Sequence, residues 1–379
     1  MRAQPLSRCA HVGVLSPYPP TLGGLATFSA ALSDALCAHG ADVSVVRVAD
    51  GSPSSSGGVV GELVNDSAPS VGVCVDLLNQ NDVVVIQYDY GIYGGVDGND
   101  VVGIIGGLRV PSIVVAQTIL KAPTRHQHSV LALIAATADQ VVVMSEVAKQ
   151  RLCSSYGVDR RRVTTISHGA TVPSKPPLKR PSRPTVLTWG LLRPGKGVER
   201  VIEAMGSLKD LPGRPRYLVA GPTHPKVLAA DGEAYRDART EQSLRSGVAG
   251  SVSFDARYWN ASTLPALIQS AAVVVLPYDS TDQVTSGALI DAIASGRPVV
   301  ATAFPHAVEL LCGGAGIVVD HDDPGALVTA LRDILTQPRL AGSMAAEARR
   351  LAPEMAWPAV AGAYLRLAQR LIAERRAMI

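Results

Sequence analysis

The chain has 379 residues, 47% hydrophobic and 18% charged, with a formal net charge of +3 at neutral pH. That length exceeds what one hydrophobic core supports and predicts two domains of roughly 150–200 residues each, while the composition excludes disorder. The small net charge and an aromatic content of only 4% argue against a nucleic-acid partner, because few rings are present to stack on bases.

Short β-branched runs alternate with helical patterns along the whole chain, as in parallel sheets with crossover helices. In the first half the predicted strands are 12–15, 43–48, 83–87, 112–116, 140–144 and 163–167. Helices are expected near 26–39, 100–108, 127–137 and 146–156, and the run GSPSSSGG at 51–58 reads as a flexible loop. Prolines recur through 173–184, where proline cannot continue a helix or central strand, so a stiff, solvated interdomain linker is predicted. Beyond it the predicted strands are 185–189, 216–220, 251–254, 273–276 and 298–301, with helices at 198–208, 233–246, 262–270, 287–294 and 324–336.

The tail at 358–376 repeats apolar residues at helical spacing and predicts a closing helix. The expected domains are therefore 1–172 and 185–356, joined by the linker 173–184 and followed by the closing segment 357–379. Two doubly wound, Rossmann-like α/β domains of this kind are expected to bind ligands in a cleft at the carboxyl ends of their strands.

Five cysteines, Cys9, Cys37, Cys74, Cys153 and Cys312, are odd in number and lack C-x-x-C spacing. They read as reduced, mostly buried thiols of a cytoplasmic protein. No apolar run reaches the length of a membrane-spanning helix, which leaves peripheral membrane contact open.

Three segments carry chemistry. In PYPPTLGGLATF, after the first strand, Gly23 and Gly24 let the backbone approach a ligand just before a helix start that favours anions. In TWGLLRPGKGVE, Arg193 and Lys196 lie on a glycine- and proline-bearing loop between strand and helix, a setting suited to a diphosphate. In residues 276–309, Gln283 and Asp291 flank a helix opened by Ser286 and Gly287, where backbone N–H groups and a hydroxyl are expected to hold phosphate. His126 and His128 lack a third ligand, and Asp320 and Asp322 precede an Asp323-Pro324 helix start that a capping role explains. No metal site is expected.

Together these motifs resemble glycosyltransferase family 4, the large family of retaining GT-B glycosyltransferases, in a bacterial subgroup with a Q-x-T-S-G motif. The family's glycine loop matches Gly23 and Gly24, its G-R-x-x-x-x-K-G loop matches 190–197, and its Glu-x7-Glu pattern before A-x-A-x-G-x-P-V-V-A matches Gln283 to Ala301. The stretches IQYDYGIYGG, VMSE, SHG, GPTHP with GEAYR, and QVTSG also match, so the likeness runs from about residue 11 to 335. The sequence departs from the pattern at Leu191, in place of the loop arginine, and at Gln283 and Asp291, in place of two glutamates. Gln117 stands where a histidine is usual, and Tyr88 and Asp89 where the subgroup has His-Glu.

The resemblance implies a GT-B fold and transfer of a hexose, mannose or glucose by family frequency, from a GDP- or UDP-sugar substrate to a glycan, lipid or small-molecule acceptor. It implies no cofactor. Lys196, Arg193 and the Thr285–Ser286–Gly287 helix start are expected at the diphosphate, Asp291 at the ribose, Arg257 and Tyr258 at the base, and Gln283 and Glu309 at the donor sugar, with Gly24 also touching the donor. Gly23, Gly24, Tyr88, Asp89 and Gln117 are expected on the acceptor side, with Gln283, Lys196 and Gln117 as the catalytic set. A non-catalytic GT-B-like binding subunit, or a GT-B sugar-nucleotide epimerase or phosphorylase, are the alternatives.

Overall fold

The computed structural model describes residues 10–53, 57–174 and 182–377. Cys9, the centre of the 51–58 loop and most of the expected 173–184 linker lie outside the described residues. The chain forms two compact units, Met1–Gly169 with Trp357–Ile379, and Ala170–Ala356.

The first unit opens with β1 (His11–Ser16), α1 (Gly24–Ala38), β2 (Asp42–Val48), β3 (Val59–Leu63), α2 (Ala68–Leu78) and β4 (Val83–Tyr88). It continues through α3 (Asp100–Gly106), β5 (Ser112–Ala116), α4 (Arg125–Thr137), β6 (Gln140–Val143), α5 (Glu146–Tyr156) and β7 (Val163–Thr165). The strands form one parallel sheet in the order β3-β2-β1-β4-β5-β6-β7. Side chains alternate across a strand, so Val12 and Val14, Val83 and Val85, and Ile113 and Val115 share one face, which packs on Phe28, Leu32 and Leu36 of α1. The same face is covered by Val360, Tyr364, Leu367 and Leu371 of a helix from the far end of the chain.

The second unit contains β8 (Thr185–Trp189), α6 (Val198–Leu208), β9 (Arg216–Ala220), α7 (Pro225–Asp231), α8 (Ala234–Arg245), β10 (Val252–Asp255), α9 (Leu264–Ser270) and β11 (Val273–Leu276). It ends with α10 (Gly287–Ala294), β12 (Val299–Thr302), α11 (Pro305–Leu311), β13 (Gly316–Val319), α12 (Pro324–Thr336) and α13 (Pro338–Met355). Its parallel sheet has the order β10-β9-β8-β11-β12-β13. One face buries α10 residues Leu289, Ile290 and Ile293 with Ala348 and Met355 of α13. The other buries α6 residues Val201, Ile202 and Met205 with Leu327, Leu331 and Ile334 of α12. Both sheets are therefore doubly wound, and each has a point where the strand order reverses, β1/β4 in the first and β8/β11 in the second.

The chain leaves the first unit after Gly169 and returns as α14 (Trp357–Ala377). The Ala170 N–H donates to the Met355 carbonyl at 2.8 Å, and Ala170 and Ala356 form an isolated parallel bridge. Gly169 is glycine because the Trp357 ring fills the space a Cβ would need. Phe28 lies 4.9 Å from the His168 ring and 5.3 Å from the Trp357 ring.

The sequence reading omits β3, α2, α7, α11, β13 and α13. β3 is a short edge strand interrupted by Gly61, and α11 and α13 both begin at prolines, one of them also carrying Pro353 near its end. The expectation of mostly buried thiols is corrected: among the described cysteines only Cys74 is buried, whereas Cys37 and Cys312 are exposed. No described helix is long and apolar enough to cross a membrane.

Candidate functional site

In the second unit the segments singled out from sequence all follow strand carboxyl ends of one parallel sheet. β8 ends at Gly190, whose φ of +115° suits glycine, and Gly221 of the neighbouring β9 turn packs so closely on the Gly190 carbonyl that a side chain at 221 would collide with it. The next loop carries Lys196 into Gly197, where φ is +66° and a Cβ would lie inside the Pro277 carbonyl oxygen. The Asp279 N–H donates to the Gly195 carbonyl at 3.1 Å, so the β8–α6 loop is tied to the end of β11.

This close approach delivers Lys196. Its ammonium lies 4.6 Å from the centre of the Tyr278 ring, which stacks on Phe304 at 5.4 Å. Both rings are buried, Lys196 is half-buried, and no carboxylate pairs with it among the described residues. The result is a cation fixed by ring contact and left electrostatically uncompensated. Arg193 is exposed, and its guanidinium donates to the adjacent Pro194 carbonyl at 3.4 Å.

At the start of α10, Ser286 caps the helix through an Oγ that accepts from the Leu289 N–H at 3.2 Å. Its own N–H donates to Nδ1 of the buried His306 at 2.9 Å, and the His306 N–H donates to the Gln283 carbonyl at 3.3 Å. His306 thus occupies the Ser286 amide of the helix start that was expected to hold phosphate through its N–H groups and a hydroxyl. Gly287 and Ala288 carry the helix-start amides that have no partner among the described residues. The Thr285 Oγ1 is buried without a hydrogen-bond partner, while Gln283 spends its amide N–H on the Thr285 carbonyl at 2.8 Å. His306 escaped the sequence reading; the signal was a polar residue directly after Pro305 at the end of a buried strand.

Asp291 sits in the second turn of α10, half-buried, with no ion pair or hydrogen bond to its carboxyl among the described residues. Burial raises that carboxyl to about 7. Glu309 is half-buried on α11. Beyond the edge strand β10, the Arg257 guanidinium forks onto Asp255 at 2.7–3.1 Å and lies 4.8 Å from the Trp259 ring centre. Its charge is therefore neutralised locally, although the Arg257 side chain is exposed, as is Tyr258 beside it.

In the first unit, Gly23 caps α1 with φ +152°, and nothing lies within 4 Å of a Cβ added at Gly23 or Gly24, so the helix start is open. The buried Arg47 holds the preceding loop through the Tyr18 carbonyl at 3.2 Å and the Thr21 hydroxyl at 3.1 Å, and pairs with Asp50 and Glu62. The expected acceptor-side role of Tyr88 is corrected: its ring is fully buried and its hydroxyl donates to the Asp97 carbonyl at 3.0 Å. Asp89 accepts from the Tyr90 N–H at 2.7 Å and the Thr118 hydroxyl at 3.0 Å. Gln117 is half-buried, and its amide donates at 2.6 Å to Gln87, a fully buried residue whose own Nε2 has no partner. Gln87 was missed although it is a lone amide near the end of an apolar strand.

Among the described residues no group of three or more His, Cys, Asp or Glu side chains is placed to hold a metal ion. His126 bonds Asp97 at 2.8 Å, and His128 stacks on Tyr156. Asp323 caps α12 by accepting from the Ala326 N–H at 2.8 Å, with Pro324 as the first helical residue.

Residues 183–337 match the family described as glycosyl transferases group 1. The chain is 26% identical over 245 residues to D-inositol 3-phosphate glycosyltransferase of Rhodococcus jostii, covering 59% of this chain and 51% of that protein. It thus spans about half the length of the relatives it matches. Among solved structures, Anabaena HepE in complex with UDP and glucose is similar with a TM-score of 0.74 at 16% identity, over 95% of this chain and all of that one. Sucrose-phosphate synthase from Thermosynechococcus elongatus gives a TM-score of 0.75 at 18% identity, over 96% of this chain and all of that one. The two doubly wound units therefore have the GT-B fold, and the second carries a domain similar to the glycosyl transferases of group 1.

Proposed function

We propose that the protein is a glycosyltransferase that moves a hexose, glucose or mannose, from a GDP- or UDP-sugar to a glycan, lipid or small-molecule acceptor, with retention of anomeric configuration and without a metal. The observation that carries this reading is the set of unsatisfied groups on the second unit's sheet edge. An unpaired Lys196 ammonium, the open amides of Gly287 and Ala288 and the orphaned Thr285 hydroxyl are the groups a diphosphate requires. Asp291 supplies a carboxyl without a partner one turn further along the same helix, where two ribose hydroxyls can donate to it.

In this mechanism negative charge grows on the leaving diphosphate, and cations and N–H dipoles already in place stabilise it without reorganising. Gln283 and Glu309 bind donor hydroxyls. Gly23, Gly24 and Gln117 of the first unit take the acceptor, with the Gln87–Gln117 amide pair fixing the side chain of Gln117. The group 1 match over residues 183–337 and the UDP and glucose bound to the similar HepE favour this reading.

The test is a thermal-shift screen of UDP, GDP, ADP and their sugars, followed by turnover with the donor that stabilises most. Product anomeric configuration is read by NMR, with and without EDTA. Retention and activity in EDTA are expected. Inversion, or dependence on Mg²⁺ or Mn²⁺, overturns the corresponding part of the reading.

A further inference from the structure

The carboxyl ends of β8 and β9 continue side by side beyond the sheet. The Leu192 N–H donates to the Pro222 carbonyl at 2.8 Å, and the His224 N–H donates back to the Leu192 carbonyl at 2.9 Å. Leu192 and Thr223 form an isolated parallel bridge. This pairing sets Arg193, the next residue of one loop, beside His224 and Lys226 of the other.

His224 is oriented. Its Nδ1 accepts from the Lys226 N–H at 3.2 Å, so the neutral ring carries its proton on Nε2 as a donor. Burial first, then the charges of Arg193, Lys226 and Lys196, hold its imidazole below the usual histidine range. The acid adjacent in this region, Glu233, is already committed to Arg236 at 3.1 Å and to the Thr223 hydroxyl. No carboxylate pairs with Arg193, His224, Lys196 or Lys226 among the described residues. Like charges gathered without an acid oppose folding, and an anion binding among them relieves that repulsion.

We propose that Arg193, His224 and Lys226 form a second anion subsite beside Lys196, which takes a phosphate or carboxylate distinct from the donor diphosphate. The anionic group is carried either by the donor sugar or by the second substrate. Arg193 then serves this subsite, and Lys196 serves the diphosphate. The inference does not require the glycosyltransferase reading, since anion binding can be measured alone.

Inorganic phosphate is titrated while the His224 imidazole is followed by NMR, its resonance assigned with His224→Asn. That variant keeps the turn, because an Asn side chain can accept from the same N–H, but it removes the titrating ring. Phosphate is expected to raise the His224 titration midpoint both without nucleotide and with saturating UDP or GDP. Lys226→Ala is expected to weaken phosphate binding about fivefold and to leave nucleoside diphosphate affinity within about twofold. A Lys226-dependent preference for UDP-glucuronate over UDP-glucose assigns the anion to the donor sugar, and equal binding of the two assigns it to the second substrate. Displacement of phosphate by the nucleoside diphosphate overturns the proposal, because the cluster is then part of the diphosphate site. An unmoved His224 midpoint, or unchanged phosphate affinity in Lys226→Ala, overturns it as well. If neither nucleotide binds, the donor reading fails while the phosphate titration still reports on the subsite.

Discussion

The backbone N–H of Ser286 donates to Nδ1 of His306 at 2.9 Å, joining the cap of α10 to the start of α11. Both residues are buried, so the bond is shielded from water. Replacing His306 by Ala leaves that N–H unsatisfied, at a cost of about 1–3 kcal/mol. The loop from Gln283 to Ser286 loses its side-chain anchor at the same time and keeps only the backbone bond from His306 to Gln283. His306→Ala is expected to bind nucleoside diphosphate about tenfold more weakly by calorimetry. Wild-type affinity in a folded variant would show that the loop holds its geometry without the ring.

Lys196 and Arg193 separate two roles on one loop. Loss of the charge-assisted contact from Lys196 costs on the order of 1.5–3 kcal/mol, which is a loss of roughly tenfold or more in nucleoside diphosphate affinity for Lys196→Ala. Arg193→Ala is expected to change that affinity by about twofold at most, because its exposed guanidinium lacks the ring platform that fixes Lys196. Equal losses from the two variants would place both cations on the same phosphates.

The carboxyl of Asp291 is raised to about 7 by burial. A raised folded value means that the neutral acid is the better tolerated form. Its contribution to stability is therefore present below the unfolded value near 4 and is lost as pH rises through 7. Asp291→Asn removes that loss. The variant is expected to match wild type near pH 4 and to melt about 2–4 °C higher at pH 8, corresponding to about 1 kcal/mol for a domain of this size. Nucleoside diphosphate is expected to bind wild type better as pH rises through 7, relative to the variant, because the ribose hydroxyls donate to the ionised form. A constant ratio of the two affinities across pH 6–8 would remove Asp291 from the ribose.

Two glycines close together in sequence are predicted to respond in opposite directions. Gly197 has φ +66°, and the Pro277 carbonyl occupies the place of its Cβ, so Gly197→Ala is expected to destabilise by on the order of 2–4 kcal/mol. Gly206 lies inside α6 with open space around an added Cβ, and Gly206→Ala is expected to stabilise by about 0.5–1 kcal/mol. Chemical denaturation of the pair measures both. A neutral Gly197→Ala would mean that the β8–α6 loop can move away from β11 without penalty.

The alternation of apolar runs made both doubly wound sheets legible, because buried parallel strands such as Val83–Tyr88 and Val273–Leu276 are nearly continuous Val, Ile and Leu. Helices that start on proline or are rich in alanine, such as Pro338–Met355, gave a weaker periodic signal. At the site, residue type and loop position pointed to Lys196, Thr285 and Asp291; among the described residues Lys196 has a ring contact and no carboxylate, and the Thr285 hydroxyl has no hydrogen-bond partner. Spacing could not tell that Tyr88 turns into the core or that Arg257 is neutralised by Asp255 two residues earlier. Nor could it reveal His306 and Gln87, whose importance rests on contacts across 20 and 30 positions of the chain.

Helix α14 carries a consequence for biosynthesis. Val360, Tyr364, Leu367 and Leu371 cover a sheet face whose strands were all completed by Thr165. During vectorial synthesis that face has α1 but lacks α14, and the part that α14 covers stays open while the whole of Ala170–Ala356 is translated. The second unit, continuous in sequence, has every strand and helix it needs before the first unit can close. The order of maturation is thus the reverse of the order of emergence, because the first unit is completed only by its last helix.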